Sequence, residues 1–171
     1  MPEIIIVAGP NGAGKTKFAS EYLARERFNY VNADVIAREL DNALQTPSHR
    51  DLRAAREMLS RIDDAIGQKL DVMIETTLAS LTYAQKIPRW RSLGYRVTLH
   101  YLRLPTPERS IERVRLRVAR GGHNIPEAII RQRFTKSLDY LEKFYKHAVD
   151  RWYIWDSLEG EFKFREASQN Q

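Results

Sequence analysis

The chain contains no cysteine, which excludes disulfides and thiolate metal sites at the outset. Its four histidines are scattered without ligand spacing, so a zinc-type centre is not expected. No apolar run approaches the roughly 18 residues that a membrane-spanning helix needs. No basic flank with a small-residue cleavage site precedes the first apolar segment, Ile4-Ile5-Ile6-Val7. Internal repeats, low-complexity tracts and interdomain linkers are also missing. The expectation is one cytoplasmic domain over 1–171, with no membrane contact.

What is present suits a globular protein: 43% hydrophobic and 29% charged residues in a length of 171, enough to bury a core. The net charge of +6 favours an anionic partner, whether nucleotide, sugar nucleotide, nucleic acid or acidic protein. No recognised nucleic-acid motif accompanies that charge, so nucleic acid is not the expected partner.

Strand and helix patterns alternate along the chain. Ile4–Ala8 reads as a central strand covered on both faces, followed by a helix from Lys15 to about Arg25. Val31 lies in a short strand ending at Asn32-Ala33-Asp34, and Val35, Ile36, Leu40 and Leu44 mark a helix after it. Thr46-Pro47-Ser48 breaks that pattern before the clearest periodic stretch, Leu52, Ala55, Leu59, Ile62 and Ile66, with Ser48 and Asp51 as a capping box. Asp71–Glu75 is a strand, Thr82–Leu93 a helix stopped by Gly94, and Tyr95–Leu102 a fourth strand. Thr106-Pro107 opens an Arg-rich helix ending at Gly121-Gly122, and Pro126 opens a last long helix. In that helix Ile129, Ile130, Phe134, Leu138, Leu141 and Tyr145 mark the buried side. Trp152–Trp155 reads as a fifth strand, and the tail after Gly160 as peripheral. The order implies an α/β fold: a mainly parallel sheet of about five strands, helices on both faces, and an Arg-rich helical lid over about 107–126.

The first strand runs directly into Gly9-Pro10-Asn11-Gly12-Ala13-Gly14-Lys15-Thr16, a match to G-x-x-x-x-G-K-[ST]. A chance match in this length is roughly a 1% event at ordinary residue frequencies. The glycines permit the backbone conformations and close approaches by which successive N–H groups cradle phosphate oxygens, and the helix N-terminus adds positive potential there. Lys15 can reach the β- and γ-phosphates, and the Thr16 hydroxyl can ligate Mg2+. The motif predicts ATP and magnesium binding.

Ligands of open α/β sheets bind beyond the carboxyl ends of the strands, which singles out Asp34 and Glu75. Asp34 has two readings, which can coexist: a general base that accepts a proton from an attacking hydroxyl, and the N-cap of the helix starting at Val35. Glu75 resembles a Walker-B acid and equally suits binding of acceptor hydroxyls, with Thr76 and Thr77 beside it. Arg109, Arg113, Arg117 and Arg120 share one helical face, with Arg115 off it. Such a face is either solvated or, on a lid hinged at Gly121-Gly122, a clamp for transition-state charge. His123, Arg131 and Arg133 follow as further candidates for phosphate contact.

Together these residues resemble the zeta toxin family, in its short branch of P-loop ATPases related to UDP-N-acetylglucosamine kinases. The resemblance runs from about Ile4 to Ser157 and rests on Gly9–Thr16, Asn32-Ala33-Asp34, Ile74-Glu75-Thr76-Thr77, Pro107-Glu108 with Arg117, and Gly121-Gly122-His123-Asn124-Ile125-Pro126-Glu127. It implies Asp34 as base toward the sugar 3′-hydroxyl, Glu75 and Thr77 as acceptor-binding residues, and Arg117 as a lid arginine. A second lid arginine of the family falls on His123, with Arg120 as the nearby guanidinium that can replace it. The resemblance therefore implies an ATP-dependent kinase of UDP-N-acetylglucosamine, with an antitoxin protein as a possible partner. The competing expectations are a kinase of another metabolite or of a nucleic-acid end, and a nucleotide-dependent binding or switch protein.

Overall fold

The computed structural model describes residues 1–24, 27–40 and 47–168. The side chains of Asp34, Pro47, Ser48, Arg50 and Asp51 lie outside the described residues, as does the expected capping box at Ser48 and Asp51. The sheet is built outward from β1 (Glu3–Ala8), whose Ile4, Ile5, Ile6 and Val7 are fully buried. Each such aliphatic contributes about 1.5–3 kcal/mol by leaving water, so this unbroken run is worth most at the centre of the sheet. β1 pairs in parallel with β3 (Val72–Thr76) on one side and β4 (Arg96–Arg103) on the other. β2 (Asn29–Asn32) flanks β3, β5 (Arg151–Leu158) flanks β4, and the strand order is β2-β3-β1-β4-β5-β6.

The tail after Gly160 is peripheral in place but ordered: it forms a sixth, largely exposed strand, β6 (Glu161–Ala167), at the sheet edge, one more than the expected five. It pairs antiparallel with β5 through a two-residue turn in which Glu159 and Gly160 have φ of 48° and 84°. Positive φ at both positions is what a tight hairpin matching the strand twist requires. The alternation Phe162, Lys163, Phe164, Arg165 then places Phe162 toward the body of the protein.

The helices are α1 (Lys15–Leu23), α2 (Ala33–Glu39), α3 (Pro47–Gly67), α4 (Thr82–Ser92), α5 (Pro107–Ala119), α6 (Glu127–Tyr140) and the short α7 (Lys146–Ala148), with a wide π turn at Leu141–Tyr145 between α6 and α7. In α3 the buried stripe is Ala54, Met58, Ile62, Ala65 and Ile66, while Leu52 is 51% exposed. Of the expected stripe, Leu52 and Ala55 are exposed, Leu59 is half-buried against the core, and Ile62 and Ile66 are buried. Ala54 and Met58 face the core instead, and the Met58 sulfur accepts a 3.3 Å hydrogen bond from the Tyr83 hydroxyl. In α6 Ile130 and Phe134 are buried as expected, but Ile129 faces out.

Among the described residues no helix is long and apolar enough to cross a membrane.

Candidate functional site

The loop Gly9–Thr16 leaves the carboxyl end of the central strand and enters α1, with Gly14 as N-cap at φ 84°. No side chain caps α1, so its leading N–H groups form an end suited to an anion. Gly9 (φ 145°) and Gly12 (φ 79°) also occupy backbone regions that only glycine enters freely. A Cβ on Gly12 would lie 2.8 Å from Arg113 Cβ, so the loop is packed directly against α5. On the other side the Phe162 ring of β6 comes within 3.3 Å of where a Gly14 Cβ would stand. Lys15 is buried along the loop, its ammonium donating to Gly9 O and Pro10 O at 3.0 Å each.

Glu75 ends β3 beside the loop because β1 and β3 are in parallel register, Val7 opposite Glu75. The Thr16 hydroxyl lies 3.1 Å from both Glu75 carboxylate oxygens. Glu75 Oε2 also accepts from the Tyr30 hydroxyl and, at 2.8 Å, from Asn32 Nδ2, which donates to Tyr30 Oη at 2.9 Å as well. Burial, then the bond to Glu75, pushes the Tyr30 hydroxyl well above its ordinary pKa and keeps it a donor. This puts a hydroxyl and a carboxylate at one end of the phosphate loop, hard oxygen donors suited to Mg2+ that is shared with phosphates and water.

α2 begins at Ala33, one residue after β2 ends, so Asn32 and not Asp34 is the helix cap: its Oδ1 accepts from Val35 N at 3.3 Å. Asp34 lies in the first turn of α2, immediately beyond the strand end; its side chain is outside the described residues. Thr77 follows β3, half-buried, two residues past Glu75. Next to it the buried Leu78 adopts φ 61°, held by a 3.1 Å bond from its N–H to Thr76 Oγ1. A β-carbon at positive φ is strained, and such strain collects at sites that must present particular atoms.

The arginine face of α5 divides in two. At its N-terminal half Ser110 Oγ donates to Asn11 O, and Arg113 donates to Gly12 O (3.2 Å), Ser157 Oγ (2.9 Å) and Ser157 O (3.1 Å). This half is fastened to the phosphate loop and to β5. Arg109 pairs with Glu112 on its own helix. Past that anchor, Arg117 and Arg120 line a cleft of about 420 Å³ with Arg113, Leu116, Gly121 and Gly122. Arg117 donates to His123 O at 3.1 Å, while its buried Nε has no hydrogen-bond partner among the described residues. Gly121 (φ 86°) and Gly122 close α5 by donating to Val118 O and Arg117 O, at 2.9 and 3.0 Å. The expected hinge pair is thus a hydrogen-bonded helix stop. His123 is exposed, and Arg131 is tied to Glu108, holding that carboxyl below its ordinary range.

The structure therefore brings together the loop, Thr16, Glu75 and the first turn of α2, and separately Arg117 with Arg120. Tyr30, Asn32, Ser110 and Phe162 were not singled out as site residues. The signal for the first two was their spacing: alternate residues of a strand share a face, and Asn32 pairs in register with Glu75.

This fold and loop define a P-loop domain of the kinase type. The chain belongs to the Zeta toxin family, whose model matches residues 1–161. An uncharacterized protein of Haemophilus influenzae (strain ATCC 51907 / DSM 11121 / KW20 / Rd) is 29% identical over 136 residues, covering 76% of this chain and 91% of that protein. The PezAT chromosomal toxin-antitoxin system of Streptococcus pneumoniae shares the fold at a TM-score of 0.68 and 18% identity, over 95% of this chain and 70% of that one. A chain of the Pnkp1/Rnl/Hen1 RNA repair complex has the same TM-score, 0.68, at 23% identity over 84% of this chain. This chain spans about half of that longer one, 46%.

Proposed function

We propose that the protein is a cytoplasmic ATP-dependent phosphotransferase that moves the γ-phosphate onto the sugar 3′-hydroxyl of UDP-N-acetylglucosamine. The observation that carries the reading is Glu75 set against the Thr16 hydroxyl at 3.1 Å, which gives the phosphate loop the carboxylate that a metal-assisted transfer needs. Thr16 and Glu75 are the residues for Mg2+, which neutralises phosphate charge when bound. Lys15 and the loop N–H groups hold the β- and γ-phosphates.

Asp34 accepts the proton of the acceptor hydroxyl as its oxygen bonds to the γ-phosphorus; the bond to the bridging oxygen breaks and ADP leaves. Arg117 and Arg120 face the charge that spreads over the transferring oxygens. Thr77, presented by the strained turn at Leu78, contacts the acceptor. The family and the likeness to a toxin-antitoxin system support an antitoxin that covers this site.

Likeness to a chain of an RNA repair complex, together with the +6 charge, favours a second reading in which the acceptor is a nucleic-acid 5′-hydroxyl. One assay separates them. Purified protein is incubated with ATP, Mg2+ and either UDP-N-acetylglucosamine or a 5′-hydroxyl oligonucleotide, and mass spectrometry reads the acceptor that gains one phosphate. Transfer to the sugar nucleotide that falls at least about 100-fold in Asp34→Asn, with ATP affinity retained, is the expected result. Phosphate appearing only on the oligonucleotide rejects the sugar acceptor.

A further inference from the structure

Asn32 is 6% exposed and uses both ends of its amide. Its Oδ1 accepts from Val35 N, and its Nδ2 donates to Glu75 Oε2 and Tyr30 Oη. The orientation is dictated by the partners: Val35 N–H can only donate, and an ionised Glu75 can only accept. A reversed amide would set oxygen against carboxylate and nitrogen against a donor. Tyr30 shares the task, its hydroxyl donating to the same Glu75 oxygen. Leucine or valine of similar size would cap nothing and would leave Glu75 Oε2 with one fewer donor.

We propose that Asn32 is a positioning residue which, with Tyr30, aims the Glu75 carboxylate at Thr16 for Mg2+ while fixing the first turn of α2 that carries Asp34. One side chain thereby sets the spacing between the metal side and the base side of the site. It rests on the phosphotransfer reading for the role of Asp34, but its effect on the metal side stands apart from turnover. Partners that orient a metal-ligating carboxylate are commonly worth about 10–100-fold in metal affinity.

The two ends of the amide can be tested separately. Asn32→Ser keeps a capping oxygen for α2 but has no donor long enough for Glu75. Tyr30→Phe removes one hydroxyl from Glu75 and leaves the cap untouched. The measurement is ATP affinity by calorimetry in Mg2+ and in EDTA, with urea denaturation alongside. In both variants the gain in affinity conferred by Mg2+ should fall about tenfold or more, with Mg2+-free affinity and stability near wild type. A purely structural Asn32 predicts the reverse, full Mg2+ gain in Asn32→Ser, and that result overturns the proposal. A loss confined to acceptor affinity overturns it too, because Glu75 would then serve the acceptor. Failure of the kinase reading is read elsewhere: wild type that transfers phosphate to no acceptor, yet loses its Mg2+ gain with Asn32→Ser, rejects the kinase and keeps the positioning role.

Discussion

Replacing Arg113 with methionine keeps the aliphatic stem and deletes the guanidinium that ties α5 to the phosphate loop. Three hydrogen bonds are lost, to Gly12 O, Ser157 Oγ and Ser157 O. Bonds from a charged donor are each worth about 1.5–3 kcal/mol. Against that stands desolvation: burial, and then the neighbouring Arg109 charge, lower the Arg113 pKa from its ordinary value, so the charged form is already held at a cost. The group is also only half-buried, which screens it further. The net loss expected is about 2–3 kcal/mol. For a chain of this size each kcal/mol shifts Tm by about 2–4 °C, so Arg113→Met should melt about 5–10 °C lower. Urea denaturation should show a lower midpoint with unchanged slope. Arg120→Met, on the same helical face but lining the open cleft, should change stability by less than about 0.5 kcal/mol while slowing phosphoryl transfer. If Arg113→Met also stays within about 0.5 kcal/mol, the division of the arginine face into anchor and clamp is wrong.

Two other substitutions test the loop and the aromatic core behind α1. Gly9→Ala combines φ 145° with a Cβ that would collide with the Leu102 carbonyl, so it should weaken ATP binding at least tenfold, read by equilibrium binding. His100 is buried between Tyr153 and the aromatic cluster on α1, and its Nδ1 accepts from Trp155 Nε1 at 3.1 Å. Burial holds its pKa down at about 4, against an ordinary 6.5. Above the higher value neither state is charged; below it the unfolded chain takes up a proton that the folded one refuses. Stability should therefore fall as pH drops from 6.5 toward 4, by up to about 3 kcal/mol from this group. His100→Gln, which keeps an acceptor for Trp155, should be less steep over that range in urea titrations.

Legibility followed the distance over which each feature is encoded. The phosphate loop, the strand before it and the helix after it lie within residues 3–23, and each was readable because one contiguous pattern specifies all three. Thr106 with Pro107 and Gly94 marked helix ends by local chemistry, and the Thr106 hydroxyl does accept from Arg109 N at 3.3 Å. The β6 hairpin was missed for the opposite reason. Glu159-Gly160 is not among the common tight-turn pairs, and Phe162 acquires its meaning only by meeting Gly14, far away in sequence. At the start of α3 the core takes Ala54 rather than Ala55, since alanine at 54 and at 55 carry the same local signal and only packing against the rest of the protein distinguishes them.

The arginine face shows where sequence reasoning stops even when its periodicity is right. A 4, 4, 3 spacing places Arg109, Arg113, Arg117 and Arg120 along one side of α5, but the same side meets different neighbours as the helix advances about 1.5 Å per residue. Its first turns cross the phosphate loop, where Ser110 and Arg113 find carbonyl oxygens and become struts. One to two turns past Arg113 the loop is behind, and Arg117 and Arg120 border a cleft that Arg113 also reaches. What α5 presents is therefore graded along its length: hydrogen-bonded contact with the phosphate loop at Ser110 and Arg113, then the guanidinium groups of Arg117 and Arg120 along a cleft. On the proposed reading of Arg117 and Arg120 as a clamp, the helix stop at Gly121-Gly122, bonded back to Val118 and Arg117, fixes the far end of α5 as the Arg113 contacts fix the near one.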